Sequence, residues 1–223
     1  HPRVRRQRQM CIRDSSYIEV KQPNAIRDGK TAIQSEQSRT AVRFENRRFR
    51  RFNNITQLLS FSDNLPYISG QGQQKQGSFY CSNAFSKTKF NAFKEEREEE
   101  LIYSIRSLGE EEIDAVLKDV NRFALKSQPE FKTNQDPSTP CNTFISSLYQ
   151  KERLLFLLRY GLAYVEEHSK DGTIQLQKHV MRYPQFFATK AIEDAIGKGA
   201  KKGVIWHTQG SGKTALSYFN IRY

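Results

Sequence analysis

The run His207-Thr208-Gln209-Gly210-Ser211-Gly212-Lys213-Thr214 constrains this chain more than any other feature. A glycine-rich turn between an apolar strand and a helix lets successive backbone N–H groups converge on one point, and the helix N-terminus adds its dipole there. Such a loop suits polyphosphate. Gly210, Ser211 and Gly212 form the cradle, Lys213 reaches the phosphates as a point charge, and Thr214 places its hydroxyl on Mg²⁺. The flanks fit this reading. Gly203-Val-Ile-Trp206 is a short apolar run suited to a buried strand, and Thr214-Ala-Leu-Ser-Tyr-Phe219 can start a helix. The loop predicts ATP with Mg²⁺ as its ligand. Only residues 215–223 follow it, fewer than a nucleotide-driven motor needs, so the sequence is expected to be the front of a longer protein.

One position departs from the full phosphate-loop pattern: His207 stands where that pattern has Gly. Helicase-like ATPases commonly relax this glycine, so the departure narrows the class. The same class often carries a Gln preceded by an aromatic upstream of the loop. Arg182-Tyr-Pro-Gln185-Phe-Phe187 supplies one. An amide both donates and accepts, which matches the adenine edge. The alternative for Gln185 is a surface residue at a helix start beside a buried aromatic pair.

Charge points to a polyanionic partner. The chain of 223 residues has a formal net charge of +12 and a pI near 9.7, a balance that most often means nucleic acid. Residues 1–15 hold Arg3, Arg5, Arg6, Arg8 and Arg13 against Asp14, a net +4 of that total. Two readings fit them: translated vector or adaptor sequence that forms a non-native leader, or a basic DNA-binding arm. Without them the chain is still about +8 and the inference stands. No window approaches the ~20 apolar residues of a membrane span, and no signal peptide is evident. Cys11, Cys81 and Cys141 are odd in number and far apart, which suits neither a disulfide framework nor a zinc site and fits a reducing cytoplasm.

Patterning divides the rest of the chain. Tyr17–Lys21 alternates as a strand. Residues 31–51 read as a helix with a basic end, where Arg47, Arg48, Arg50 and Arg51 are either phosphate contacts or a solvated terminus. Ile55–Phe61 reads as a buried strand, and Phe79–Phe93 as a strand leading into a packed surface segment. Glu95–Glu100 reads as an acidic patch at a helix start or on a solvated face. Residues 110–122 predict an amphipathic helix with Ile113, Val116, Leu117 and Val120 at helical spacing. Residues 127–140 read as a connector and 148–165 as one buried helix. The polar break from His168 to Thr173 is the expected internal boundary.

Glu19-Val20-Lys21 forms a second constellation. Residues two apart on a strand share a face, so both side chains serve one site. A carboxylate that binds a divalent metal and a lysine that activates water is nuclease chemistry. A cross-face ion pair in solvent is the ordinary alternative. The nuclease pattern needs a further acid, and Asp14 in the suspect leader is what precedes Tyr17. Gln34 and Gln37 are candidates to support that site from the next helix.

Taken together, residues 16–223 resemble the restriction (R, motor) subunit of type I restriction–modification enzymes. The resemblance rests on Tyr17-Ile-Glu-Val-Lys-Gln-Pro-Asn24, Phe52-Asn-Asn-Ile-Thr-Gln-Leu-Leu59, Phe61-Ser-Asp-Asn-Leu-Pro-Tyr67, Gly77-Ser-Phe-Tyr80, Lys151-Glu-Arg-Leu-Leu155, Arg182-Tyr-Pro-Gln185 and Val204–Thr214. It implies an α/β restriction-endonuclease-like (PD-(D/E)XK) mixed sheet with helices over 16–170, then the start of a RecA-like helicase lobe over 171–223. It implies that Glu19 is a metal ligand, that Lys21 is catalytic, and that Lys213 and Thr214 bind ATP·Mg²⁺. Double-stranded DNA and separate methylation and specificity subunits are the implied partners. A different superfamily-two DNA or RNA helicase with an N-terminal binding module is the rival reading. The chain by itself is expected to show no sustained ATPase and little cleavage.

Overall fold

The computed structural model describes residues 16–20, 29–48, 56–70, 73, 75–82, 89–103, 108–168, 171–208 and 210–223. Strand β1 (Ser16–Val20) runs parallel to β2 (Leu58–Ser62), with helix α1 (Ala32–Glu45) between them in sequence. β3 (Ser78–Cys81) pairs antiparallel with β2, and β4 (Asn91–Phe93) antiparallel with β3, giving the order β1-β2-β3-β4. The fold is mixed α/β, as expected. The stretch Phe79–Phe93, read from sequence as one strand with a surface segment, holds two paired strands.

The period of two along β2 and β3 sorts their side chains onto two faces. Phe61 and Phe79 are cross-strand partners with ring centroids 5.9 Å apart, and they pack with Ala32 and Ile33 of α1. Leu58 and Tyr80 look the other way, into a larger core with Phe144, Phe156, Leu157 and Phe187. That core is made by helices α4 (Pro140–Leu148), α5 (Lys151–Tyr160), α6 (Tyr183–Gly197) and α7 (Lys213–Arg222). Between the sheet and these helices come α2 (Glu110–Asp119) and α3 (Pro129–Asn134), the latter inside the expected connector. In α2, Ile113 and Leu117 are buried, whereas Val116 and, just past the helix end, Val120 are exposed, so the apolar stripe is narrower than its spacing suggests.

The predicted helix over 148–165 is two elements. α5 stops at Gly161, whose N–H closes on the Leu157 carbonyl at 2.8 Å. A Cβ at Gly161 would lie 2.8 Å from the Leu157 carbonyl oxygen, so the sharp exit needs glycine. Leu162–His168 then forms β5, which pairs antiparallel with β6 (Ile174–Val180). The polar break from His168 to Thr173 therefore falls between two strands that pair with each other. The large core draws on both sides of that turn, from Leu58 to Phe219. Tyr80 Oη donates to the Met181 carbonyl and Ser82 Oγ to that of Lys178, each at 2.7 Å, tying β3 to the end of the hairpin.

Two further expectations fail. Gly203–Trp206 is not a buried strand: Val204 and Trp206 are each 91% exposed. Among the described residues no strand pairs with it, and an extended segment without a neighbour has no ladder to bury it. Glu95 is not solvated either. It is buried, and Arg153 donates to its Oε2 at 2.7 Å, with Ser147 Oγ on the same oxygen. The Arg153 guanidinium also lies 5.5 Å from the centre of the Phe187 ring. Glu98–Glu100, by contrast, form an exposed 3-10 turn. Among the described residues no helix is long and apolar enough to cross a membrane.

Candidate functional site

The phosphate loop forms a turn entered by Gly210 at φ 75° and closed by Gly212 at φ 84°. Both angles lie in the left-handed region, which costs glycine little. Gly212 caps α7, and its carbonyl accepts the Leu216 N–H at 3.0 Å. Lys213 therefore opens the helix, and Thr214 beside it is exposed. The Lys213 ammonium folds back over the loop and donates to the carbonyls of His207 and Thr208, each at 3.3 Å. Ser211 Oγ is buried and makes no hydrogen bond. A buried hydroxyl, a helix N-terminus and an ammonium resting only on carbonyls fit the oxyanions of a phosphate chain. Gln209 lies outside the described residues.

Gln185 is brought to this loop, though not as an open reader of adenine. It is 3% exposed at the start of α6. Its Oε1 accepts the Arg182 N–H at 2.9 Å and its Nε2 donates to the Gly212 carbonyl at 3.0 Å. The amide thus staples the helix start to the glycine that caps α7. A Cβ at Gly212 would meet Gln185 Nε2 at 2.4 Å and displace that amide, while the left-handed backbone is what calls for glycine.

Glu19 lies on β1 opposite Phe61, on the face covered by α1. Arg39 reaches its Oε1 and Arg43 its Oε2, both at 2.6 Å, and Tyr17 Oη donates to Oε2 at 2.7 Å. Arg43 also bonds Glu36 at 3.2 Å and stacks 5.3 Å from the Tyr17 ring centre. Burial pushes the Glu19 carboxyl up, but the bonds from Arg43 and Tyr17 and the two guanidinium charges outweigh it and hold the group below its usual range. Glu36 is more deeply buried and has Glu19 as a like-charged neighbour; its carboxyl is pushed up to about 7. Burial and the bond to Glu19 raise the Tyr17 phenol to about 12.

This arrangement does not fit a metal ion at Glu19 as predicted. Both carboxylate oxygens carry guanidinium groups where a cation would sit, and no group of three or more metal-ligating side chains occurs among the described residues. Lys21, the predicted catalytic partner, lies outside the described residues. Gln34 and Gln37 do not reach the cluster. Gln34 instead accepts the Thr31 N–H at 3.0 Å as half of a capping box, and both glutamines line an open cleft of about 2850 Å³. Across that cleft stand Tyr183, Gln185 and the loop residues Gly210 to Gly212. The residues that do reach Glu19 were not singled out from sequence. Their signal was present in the spacing of Glu36, Arg39 and Arg43, three and four apart, which puts them on one helix face. Past α1, Arg47 and Arg48 are exposed, whereas Arg50 and Arg51 lie outside the described residues.

Comparison with known proteins adds two likenesses. Residues 184–223 match the SWI2/SNF2 ATPase family. The chain is also 43% identical over 76 residues to the "Putative type I restriction enzyme MjaVIIP endonuclease subunit" of Methanocaldococcus jannaschii, a match covering 31% of this chain. The chain spans 7% of the length of that curated relative. No solved structure matches. The resemblance to a type I restriction endonuclease subunit, first read from the motifs, is thus met by a relative of that description and by an ATPase region at the phosphate loop.

Proposed function

We propose that this chain is part of the ATP-dependent, DNA-translocating and DNA-cleaving subunit of a type I restriction endonuclease. The observation that carries this is the phosphate loop: left-handed Gly210 and Gly212, Lys213 at a helix start, and the SWI2/SNF2 match over the same residues. Gly210, Ser211 and Gly212 cradle the phosphates, Lys213 leaves its carbonyls for them, and Thr214 meets Mg²⁺. Gln185 holds the loop in place through the Gly212 carbonyl. Residues 16–170 would form part of a PD-(D/E)XK endonuclease domain and 171–223 the start of the first RecA-like lobe. Lys21 would act in cleavage, beside a Glu19 carboxylate that the guanidinium groups of Arg39 and Arg43 hold. Arg47, Arg48, Arg50 and Arg51 would contact phosphates of double-stranded DNA. Methylation and specificity subunits would be the protein partners, in the cytoplasm.

Nucleotide binding is the direct test. A fluorescent ATP analogue should bind the chain in an Mg²⁺-dependent manner, and Lys213→Ala should weaken that binding roughly 30- to 150-fold. Unchanged binding in Lys213→Ala would sink the motor assignment. The superfamily-two helicase with an accessory N-terminal module is separated in the full-length protein: if Lys21→Ala leaves DNA cutting intact while Lys213→Ala stops ATP hydrolysis, that rival holds.

A further inference from the structure

Gln185, the amide expected to read a base, is committed to the fold. Its Oε1 accepts the Arg182 N–H, its Nε2 donates to the Gly212 carbonyl, and the residue is buried. A nucleoside triphosphate on the loop therefore needs another group for its base, and the same cleft offers one. Tyr183, two residues before Gln185 in α6, and Tyr67, between β2 and β3, both line that cleft and are both partly exposed. Their ring centroids lie 6.1 Å apart with the planes at 71°, and the two phenols hydrogen-bond each other. The rings make a corner. A flat heterocycle laid on one ring meets the other edge-on, which are the two arrangements that aromatic systems prefer. Tyr67 is also braced from behind. Asp63 Oδ1 accepts the Leu65 N–H at 2.9 Å and the Gly77 N–H at 3.0 Å, and Gln76 Nε2 donates to the Pro66 carbonyl at 2.9 Å. Gly77, at φ 114°, backs Tyr67 so closely that a Cβ there would lie 3.1 Å from the Tyr67 Cα.

We propose that Tyr67 and Tyr183 hold the base of the bound nucleoside triphosphate by stacking, and that the site consequently takes either purine with little regard to the base edge. Lys213 and the loop bind the phosphates, and the aromatic corner adds the contribution of the base. Every base has a π-face, so a stacking platform tolerates a change of base that a hydrogen-bonding edge reader rejects. Tyr67 precedes the β5–β6 hairpin, whereas Tyr183 and the loop follow it. The segment that joins the strands of the four-stranded sheet thereby completes a nucleotide site whose other parts lie more than 100 residues further along the chain. This assignment rests on the loop as a triphosphate cradle and adds to it the base platform and its selectivity.

The test is binding, without turnover. Affinities of the full chain for ATP, GTP and inorganic tripolyphosphate are measured by calorimetry in the presence of Mg²⁺. In the wild type, GTP should bind within about fivefold of ATP, because ring faces make the contact. Tyr67→Ala should weaken ATP and GTP about tenfold each and leave tripolyphosphate, which has no base, unchanged. Tyr67→Leu, which keeps apolar bulk without a flat ring, should behave as Tyr67→Ala does, and Tyr67→Phe should restore ATP affinity to within about twofold of the wild type. The unchanged tripolyphosphate affinity shows that each variant keeps its loop. If ATP affinity is untouched in both Tyr67→Ala and Tyr67→Leu, the platform assignment fails. Equal losses of ATP and tripolyphosphate also overturn it, because Tyr67 then only supports the loop. Rejection of GTP by about 100-fold or more in the wild type overturns it as well, since an edge reader is then present. If the wild type binds neither ATP nor tripolyphosphate, it is the reading of the loop beneath this assignment that falls.

Discussion

Beneath α1, two carboxylates lie with two arginines on them; at the mouth of α7, a lysine rests on two backbone carbonyls. The first region has already answered its own charge. Glu19 and Glu36 are largely withdrawn from water, and the guanidinium groups that compensate them are part of the fold. The second region has a surplus of donors. Lys213 and a helix N-terminus face outward with only weak acceptors beneath them, and the Ser211 hydroxyl is buried without a hydrogen bond. Side chains in the first region therefore contribute to stability as well as to any chemistry. Side chains in the second can be lost with little effect on the fold and a large effect on an anionic ligand.

Substitutions at the two regions should separate these roles. The largest expected effect is on the buried side. Glu19→Ala takes from Arg39 its carboxylate and leaves Arg43 with Glu36 alone, and should cost about 3 kcal/mol of unfolding free energy, read by urea denaturation. Lys213→Ala should leave that curve within about 0.5 kcal/mol while weakening nucleotide binding by about 2–3 kcal/mol, roughly 30- to 150-fold. A stability loss in Lys213→Ala equal to that of Glu19→Ala would erase the contrast.

Gly212→Ala should join the two behaviours. It puts a Cβ at a left-handed backbone and 2.4 Å from Gln185 Nε2, at a cost of about 1–3 kcal/mol. Nucleotide affinity should fall with it, and Gln185→Ala in the same chain should relieve the clash but not the backbone strain.

The pH dependence sharpens the picture on the carboxylate side. Glu36 has its folded-state value raised to about 7, above its unfolded value of 4.5. Its contribution to stability is fully present below pH 4.5 and is lost as pH rises through about 7. Glu36→Gln should flatten the stability profile across that window and be more stable relative to wild type at pH 8 than at pH 5. A profile unchanged by the substitution would show that another group titrates there. The smallest effect belongs away from both regions. Tyr80→Phe removes the bond to the Met181 carbonyl and should cost about 1 kcal/mol without changing ligand affinity.

Much of the candidate loop was legible because its chemistry is local. Gly210, Gly212, Lys213 and Thr214 are neighbours in sequence, and the turn, the helix start and the cap follow from glycine's conformational freedom and the orphan N–H groups of α7. The strand before it was not legible in the same sense. An apolar run such as Gly203–Trp206 is buried only when another strand pairs with it, and that is a non-local event. Leu148–Val165 failed for a related reason. A continuous apolar stretch does not distinguish helix from strand, and the change at Gly161 is enforced by contact with Leu157. The Glu95–Arg153 pair joins residues far apart in sequence, which no spacing rule reaches.

The sequence alone determined the candidate phosphate loop, the alternating strand β1, the apolar strand β2 and the helical face that carries Glu36, Arg39 and Arg43, because each depends on backbone preference, local apolar content or a fixed helical or strand period. Tertiary structure decided what those faces meet. It laid α1 over β1 so that guanidinium groups occupy the carboxylate of Glu19, and it carried Gln185 to Gly212. Both are encounters between distant segments, settled by which apolar surfaces bury one another.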